Sequence, residues 1–307
     1  FSWQSRMDPA ALGQIWEFPL VTSIAFHPRA VPKGAGLQKG ESDGTMPVDG
    51  DVVIGYRLFQ DLTDPKCVAV FFHGNAAVCS DVSHRIQDYY SLGAAVLSVD
   101  YRGYGWGTGT PSFATLCPDA ETVADTIPAV LEKAGLSGLP LILVGQSIGA
   151  TCAVHLGTKR PNQFKGVILE AGLMTVKDLP MLDQFLQMMP QIKEMLPLIP
   201  EPLGTLEKVK TLQLPTLFIH GDADDIVPYS QSQVAYQHCP AASKKLQTIK
   251  GGGHNDLSMV QASLSSAARL WLVSTAIGST LPGEAAPGML AGTNDQMEAG
   301  RRCCSVS

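Results

Sequence analysis

Between roughly residues 50 and 275, short apolar runs rich in β-branched residues alternate with longer amphipathic stretches. A strand that is apolar along its whole length needs cover on both faces, and parallel strands joined by crossover helices supply it. The runs at 52–59, 68–73, 95–100, 141–145, 167–170, 216–220 and 246–249 therefore predict an α/β fold with a mostly parallel central sheet and helices on both faces. Helical periodicity falls at 119–133, with Pro118 and Asp119 as its start and Gly135 as its stop, and again at 148–159, 230–238 and 257–275.

Residues 173–203 differ in character, being rich in Met, Leu and Pro. Leu182, Phe185, Leu186 and Met189 form an apolar helical stripe, and Pro190, Pro197, Pro200 and Pro202 cut the segment into short pieces. An insertion of this kind between two strands predicts a small helical lid over about 173–212. The first 50 residues read as loop with one strand. We expect a single domain over 1–277 and a flexible tail over 278–307, where small residues and prolines take over.

Only 16% of the 307 residues are charged and the net charge is −6, so no basic face is available for nucleic acid. No stretch approaches the roughly 20 uninterrupted apolar residues of a membrane span. Cys67, Cys79, Cys117, Cys152 and Cys239 are scattered, without a Cys-x-x-Cys pair, and read as reduced small hydrophobes of a reducing, cytoplasmic compartment. The chain opens on Phe1 with Met7 as a candidate start, so the missing signal peptide fixes no address.

The chemistry concentrates in Gly145-Gln146-Ser147-Ile148-Gly149, a Gly-x-Ser-x-Gly nucleophile elbow. An apolar strand runs into it and a helix of small residues runs out. The elbow forces the serine into a strained backbone conformation, and the flanking glycines stand where a Cβ would clash. A serine hydroxyl needs a base, and the base an orienting acid, which on this fold follow in the order Ser, Asp or Glu, His. His254, in Gly251-Gly252-Gly253-His254-Asn255-Asp256, is the base. For the acid, Asp224 in His220-Gly221-Asp222-Ala223-Asp224-Asp225 is the choice, with Asp222, Asp225 and Glu170 as rivals that spacing does not remove. His73 and His220 read as structural residues that hold loops at strand ends.

Phe71-Phe72-His73-Gly74-Asn75-Ala76 closes an early strand at the place where such hydrolases carry half of an oxyanion hole. The expected donors are the backbone amides of Ile148 and Asn75, with Ala76 as the nearby alternative. Ala76, Tyr101, Gln146, Leu182 and Met189 are expected to border the substrate. The Gly-rich run 100–109 misses the G-x-G-x-x-G spacing and reads as a structural loop bordering the pocket. No phosphate loop or metal-ligand spacing is present, so no cofactor and no metal is expected.

Together these segments resemble the α/β-hydrolase superfamily, and more narrowly the eukaryotic abhydrolase-domain proteins that include protein depalmitoylases. The similarity spans most of residues 50–275. It implies that the acid is the Asp three residues after the glycine of His220-Gly221, which is Asp224. It also implies hydrolysis of a carboxyl ester or acyl thioester through an acyl-serine intermediate, on a small-molecule or lipidated-peptide acyl substrate. The alternatives are a non-catalytic binding module on the same fold, or an acyltransferase sharing the acyl-enzyme. Many relatives carry an N-terminal membrane helix or a cysteine-rich N-terminus, which this chain does not show. It ends instead in Arg301-Arg302-Cys303-Cys304-Ser305-Val306-Ser307, which fits a C-a-a-X prenylation signal on Cys304 with Cys303 open to acylation. Peripheral membrane association through this tail is the corresponding expectation; an unmodified tail is the alternative.

Overall fold

The computed structural model describes residues 12–188 and 190–278. One sheet holds eight strands: β1 (Glu41–Asp49), β2 (Val52–Phe59), β3 (Cys67–Phe72), β4 (Ala94–Val99), β5 (Leu141–Gln146), β6 (Gly166–Glu170), β7 (Thr216–Gly221) and β8 (Lys244–Ile249). Their order in space is β1-β2-β4-β3-β5-β6-β7-β8. β1 and β2 are antiparallel, as are β2 and β4, and every other pairing is parallel. Each of the seven predicted strands is present within two residues of its expected bounds, and β1 is the one strand expected in the first 50 residues.

β3, β4, β6 and β7 are buried along their whole length. Alternate side chains of a strand point to opposite faces, so one strand feeds two cores. Val68, Val70 and Phe72 of β3 join Leu143, Leu169 and Phe218 in one core. Ala69 and Phe71 join Val144, Ile168 and Ile219 in the other. The helices Phe113–Lys133, Gly149–Lys159 and Tyr229–His238 cover the first face. Helices Ile86–Tyr90 and Ala262–Ile277 cover the second. At the antiparallel edge, Arg57 of β2 lies opposite Asp43 of β1 and is almost fully buried there. Its Nε donates to Asp43 Oδ1 at 2.6 Å and its Nη2 to Oδ2 at 2.8 Å.

Two helices differ from the sequence expectation. The helix expected to begin at Pro118 begins at Phe113, and Pro118 and Pro128 lie inside it. Proline is common at a first helical position, which is why Pro118 reads as a start. The structure places the start earlier because Phe113 is buried edge-on to Trp16 and Phe26, with ring centroids 5.8 and 5.1 Å away. Ser112 accepts from the Thr115 amide there as the N-cap. The stretch 257–275 is two helices, Leu257–Val260 and Ala262–Ile277, broken at Gln261. Among the first residues a helix, Pro19–Ala25, was not legible in the sequence.

The lid comprises helices Pro180–Gln187, Pro190–Met195 and Thr205–Val209 with a 3₁₀ turn at Leu196–Leu198. Trp16 Nε1 donates to the Pro200 carbonyl at 2.8 Å, so the N-terminal segment rests on this insertion. A mostly parallel sheet with an antiparallel edge, covered on both faces and interrupted after β6 by a lid, is the α/β-hydrolase fold that the sequence resemblance implied. No helix among the described residues is long and apolar enough to cross a membrane. Met7, Cys303, Cys304 and the expected tail beyond residue 278 lie outside the described residues.

Glu170, at the C-terminal end of β6, fastens the second helical layer to the sheet. Its carboxylate accepts from Arg269 Nε at 2.8 Å and from Arg85 Nη2 at 2.7 Å. Both arginines also donate to Ser258 Oγ. Burial alone would raise this carboxyl, but Arg269 and Arg85 outweigh it and pull it from 4.5 down to about 2. A carboxyl lowered by folding contributes its full stability above its unfolded value and loses it as the pH falls toward the folded value. On the order of 3 kcal/mol should therefore drain away as the pH falls from about 4.5 to 2. Glu170→Gln is expected to lower the calorimetric melting temperature at neutral pH and to flatten its fall across that acid window. An unchanged acid slope in the variant would contradict this account.

Candidate active site

Ser147 follows β5 directly and precedes the helix Gly149–Lys159. Its φ is +54°, a left-handed conformation that a side chain adopts at a cost of order 1–3 kcal/mol. Three hydrogen bonds hold it there. The Ser147 amide donates to the Glu170 carbonyl at 2.9 Å, and its carbonyl accepts from Leu173 at 3.0 Å and Ala150 at 3.1 Å. The glycines of the motif are required by packing: a Cβ on Gly149 would stand 2.1 Å from the Phe72 carbonyl oxygen, and one on Gly145 2.6 Å from the Ala150 Cα. The serine is buried to the edge of access, with 9% of its surface exposed.

His254 comes from the loop after β8 and is 8% exposed. Its Nε2 lies 3.0 Å from Ser147 Oγ and its Nδ1 lies 2.8 Å from Asp224 Oδ2. The structure thus brings the three predicted residues into one chain of hydrogen bonds. Burial would raise the Asp224 carboxyl, but hydrogen bonds from His220 and His254 pull it well below the usual carboxylate range. The rivals are engaged elsewhere. Asp222 accepts the Gly251 amide at 2.6 Å, Asp225 is exposed, and Glu170 is committed to Arg85 and Arg269.

Gly74 neighbours the serine: a Cβ there would stand in van der Waals contact with Ser147 Cβ, at 3.4 Å. Among the described residues the amides of Asn75 and Ile148 donate to no protein acceptor, whereas Ala76 donates to Asn75 Oδ1 at 3.0 Å. This geometry favours Asn75 over Ala76 as the donor beside Ile148. Its orientation has a cause. His73 Nδ1 is 2.8 Å from the Gly74 carbonyl, and its Nε2 is 3.1 Å from Asp100 Oδ1. In a planar trans peptide the carbonyl of Gly74 and the N–H of Asn75 point in opposite directions, so anchoring the one aims the other.

Sequence reasoning missed what the side chain of Asn75 does. Its Nδ2 donates to the Ala25 carbonyl at 2.9 Å and lies 2.8 Å from His27 Nδ1. Its Oδ1 accepts from the His27 amide at 2.9 Å and Tyr104 Oη at 2.7 Å. No periodicity signals contacts across 48 residues. Gln231 was missed for the same reason; its Oε1 accepts the amides of Met174 and Thr175 and so secures the root of the lid.

The residues expected at the substrate separate. Gln146 precedes the serine and packs near Gly74, and Ala76 lies in the loop after β3. Tyr101 is buried, and its hydroxyl donates to the His73 carbonyl at 2.6 Å, which makes it a support of the loop rather than a pocket wall. Leu182 lines an apolar cavity of about 420 Å³ between the lid and the N-terminal segment, together with Trp16, Val21, Phe113, Phe185 and Leu196. Ala25, whose carbonyl is bonded to Asn75, is part of its wall. Met189 lies outside the described residues. Among the described residues no group of three or more His, Cys, Asp or Glu side chains is arranged to hold a metal.

The serine aminopeptidase S33 family model matches residues 63–203 and 203–258. The chain is 31% identical over 207 residues to protein bem46 of Schizosaccharomyces pombe, covering 66% of this chain and 66% of that one. It is 29% identical over 210 residues to the human alpha/beta hydrolase domain-containing protein 17C, covering 67% of this chain and 58% of that one. The chain thus spans about three fifths to two thirds of the length of these relatives. A Pyrococcus furiosus esterase superposes with a TM-score of 0.64 at 14% identity, over 81% of this chain and 100% of that one. At that identity the likeness is one of fold.

The close approach at the elbow is testable. Gly149→Ala must displace the end of β3, and with it the Gly74-Asn75 loop, at a cost of roughly 3 kcal/mol or more. Gly138→Ala meets nothing within 4 Å and carries only the positive-φ cost, about 1–2 kcal/mol. Urea unfolding should separate the two variants by this difference, and equal losses would show that the approach is not what the glycine is for.

Proposed function

Because the chain belongs to the serine aminopeptidase S33 family, we propose that it is a serine hydrolase cleaving a carboxyl ester or acyl thioester through an acyl-serine intermediate. The observation that carries this reading is the continuous relay Ser147–His254–Asp224 facing two unbonded amides, Asn75 and Ile148. Ser147 Oγ attacks the acyl carbon while His254 Nε2 takes its proton. The oxygen of the tetrahedral intermediate accepts from the Asn75 and Ile148 amides, each donor contributing about 3–4 kcal/mol. His254 then hands the proton to the departing alcohol or thiol. Water enters, loses a proton to the same nitrogen and releases the acid. Asp224 keeps Nδ1 protonated throughout, which leaves Nε2 free to act.

The cavity under the lid supports an acyl group as the part recognised. At the roughly 30 Å³ that a water, or a methylene of similar size, occupies, it has room for on the order of a dozen chain carbons. Its lining is apolar throughout.

A fluorophosphonate probe should label the folded protein, and Ser147→Ala should abolish the labelling and lower kcat by on the order of a millionfold. Wild-type protein that stays unlabelled, or labels equally after Ser147→Ala, would remove the proposal. For the acyl group, Leu182→Trp is expected to fill the cavity, lowering kcat/KM for a p-nitrophenyl laurate about tenfold or more while sparing the acetate. Equal effects on both esters would place the acyl chain elsewhere.

A further inference from the structure

Two imidazoles, not one, converge on the acid. Asp224 Oδ2 lies 2.8 Å from His254 Nδ1 and 3.0 Å from His220 Nε2, and Oδ1 accepts the amides of Ile226 and Val227, both at 2.9 Å. His220 Nε2 also lies 2.9 Å from the Val227 carbonyl. Both neighbours of that nitrogen are acceptors, so Nε2 carries a proton and donates it. On the far side of the ring, Nδ1 stands 2.7 Å from Ser232 Oγ, and Tyr229 packs edge-on with centroids 5.8 Å apart. The ring is wholly buried between β7 and the helix Tyr229–His238. Its orientation is therefore fixed before any substrate arrives.

Resting on the serine-hydrolase reading above, we infer that His220 is a positioning residue of the relay, whose Nε2–H fixes the Asp224 carboxylate in the rotamer that serves His254. Asp224 sits in the turn that follows β7, with its side chain wholly buried. The backbone amides of Ile226 and Val227 fix one oxygen. Only the His220 donor defines where the second oxygen faces, and the second oxygen is the one His254 uses. A loop-holding histidine would need no more than the Val227 carbonyl.

The same donor shares the negative charge of Oδ2 with His254. The titratable groups around the ring are Asp224, His254 through it, and Tyr229. Removing the donor leaves all of the charge on Oδ2 to His254, which favours the protonated imidazole that cannot act as a base. The acid limb of the pH profile should then move to higher pH.

Three variants separate positioning from bulk structure. His220→Leu removes the donor, His220→Gln places an amide N–H where Nε2 stands, and His220→Asn places it where Nδ1 stands. With p-nitrophenyl butyrate, His220→Leu and His220→Asn should lower kcat about ten- to a hundredfold with little change in KM and shift the acid limb upward. His220→Gln should retain kcat within a few fold and leave the profile in place. If His220→Leu does not fold, the comparison of Gln with Asn decides. Folded variants with wild-type kcat and pH profile, or Gln and Asn equally impaired, overturn this inference alone. A wild type that takes no fluorophosphonate label overturns the hydrolase reading and this one with it.

Discussion

The approach of the helix Gly149–Lys159 to the end of β3 is the contact on which the rest of the site depends. Phe72 offers its carbonyl oxygen where a Cβ of residue 149 would stand, and Gly145 lets the helix backbone close over β5. Without both gaps the strand could not turn into the helix within one residue, and Ser147 would not be driven to positive φ. The strain at the serine is affordable because its amide and carbonyl are tied to β6 and to the strand's own continuation at Leu173. One packing constraint thus lifts the hydroxyl, frees the Ile148 amide and brings the β3 loop within reach of the serine.

The two halves of the site are built alike. A His-Gly pair stands at the C-terminal end of each of β3 and β7, His73-Gly74 directly after β3 and His220-Gly221 as the last two residues of β7, and each histidine is buried. Each ring orients the loop that follows it: His73 through the Gly74 carbonyl, His220 through Asp224 and Val227. A loop of small residues has little side-chain packing to define it, so its geometry must come from hydrogen bonds, and rings locked in the sheet are suitable donors. The glycine after His220 has a packing reason as well. A Cβ on Gly221 would stand 2.0 Å from the Gly252 carbonyl oxygen, which brings the acid loop against the loop of His254.

What the sequence makes legible follows from range. Strands such as β3 and β4 read correctly because burial on both faces leaves a mark on every residue. The strand-to-helix turn at Ser147 is legible because its constraint is steric and local. Asp224 stood among three acidic rivals, and only resemblance favoured it, since the difference lies in which carboxylate meets His254 and which meet Gly251 or Arg269. The start of the helix at Phe113 was hidden because aromatic packing against Trp16 and Phe26 outweighs the local signal of Pro118. Tyr101 reads as a pocket residue from its place in a loop bordering the pocket, yet its hydroxyl donates to the backbone carbonyl of His73.

The N-terminal segment shows how far such long-range terms reach. Helix Pro19–Ala25 has exposed Phe18 and Leu20 at its start, and its inner side lines the apolar cavity. Its last residue and the chain just beyond it are bonded to the side chain of Asn75, in the loop after β3. Trp16 anchors the same segment to the lid through Pro200. One stretch of chain therefore touches the lid, the cavity and the loop after β3 at once. Among the described residues the Asn75 side chain bonds to that stretch, to Tyr104 and to its neighbour Ala76, so residues that line the cavity also help to place the loop.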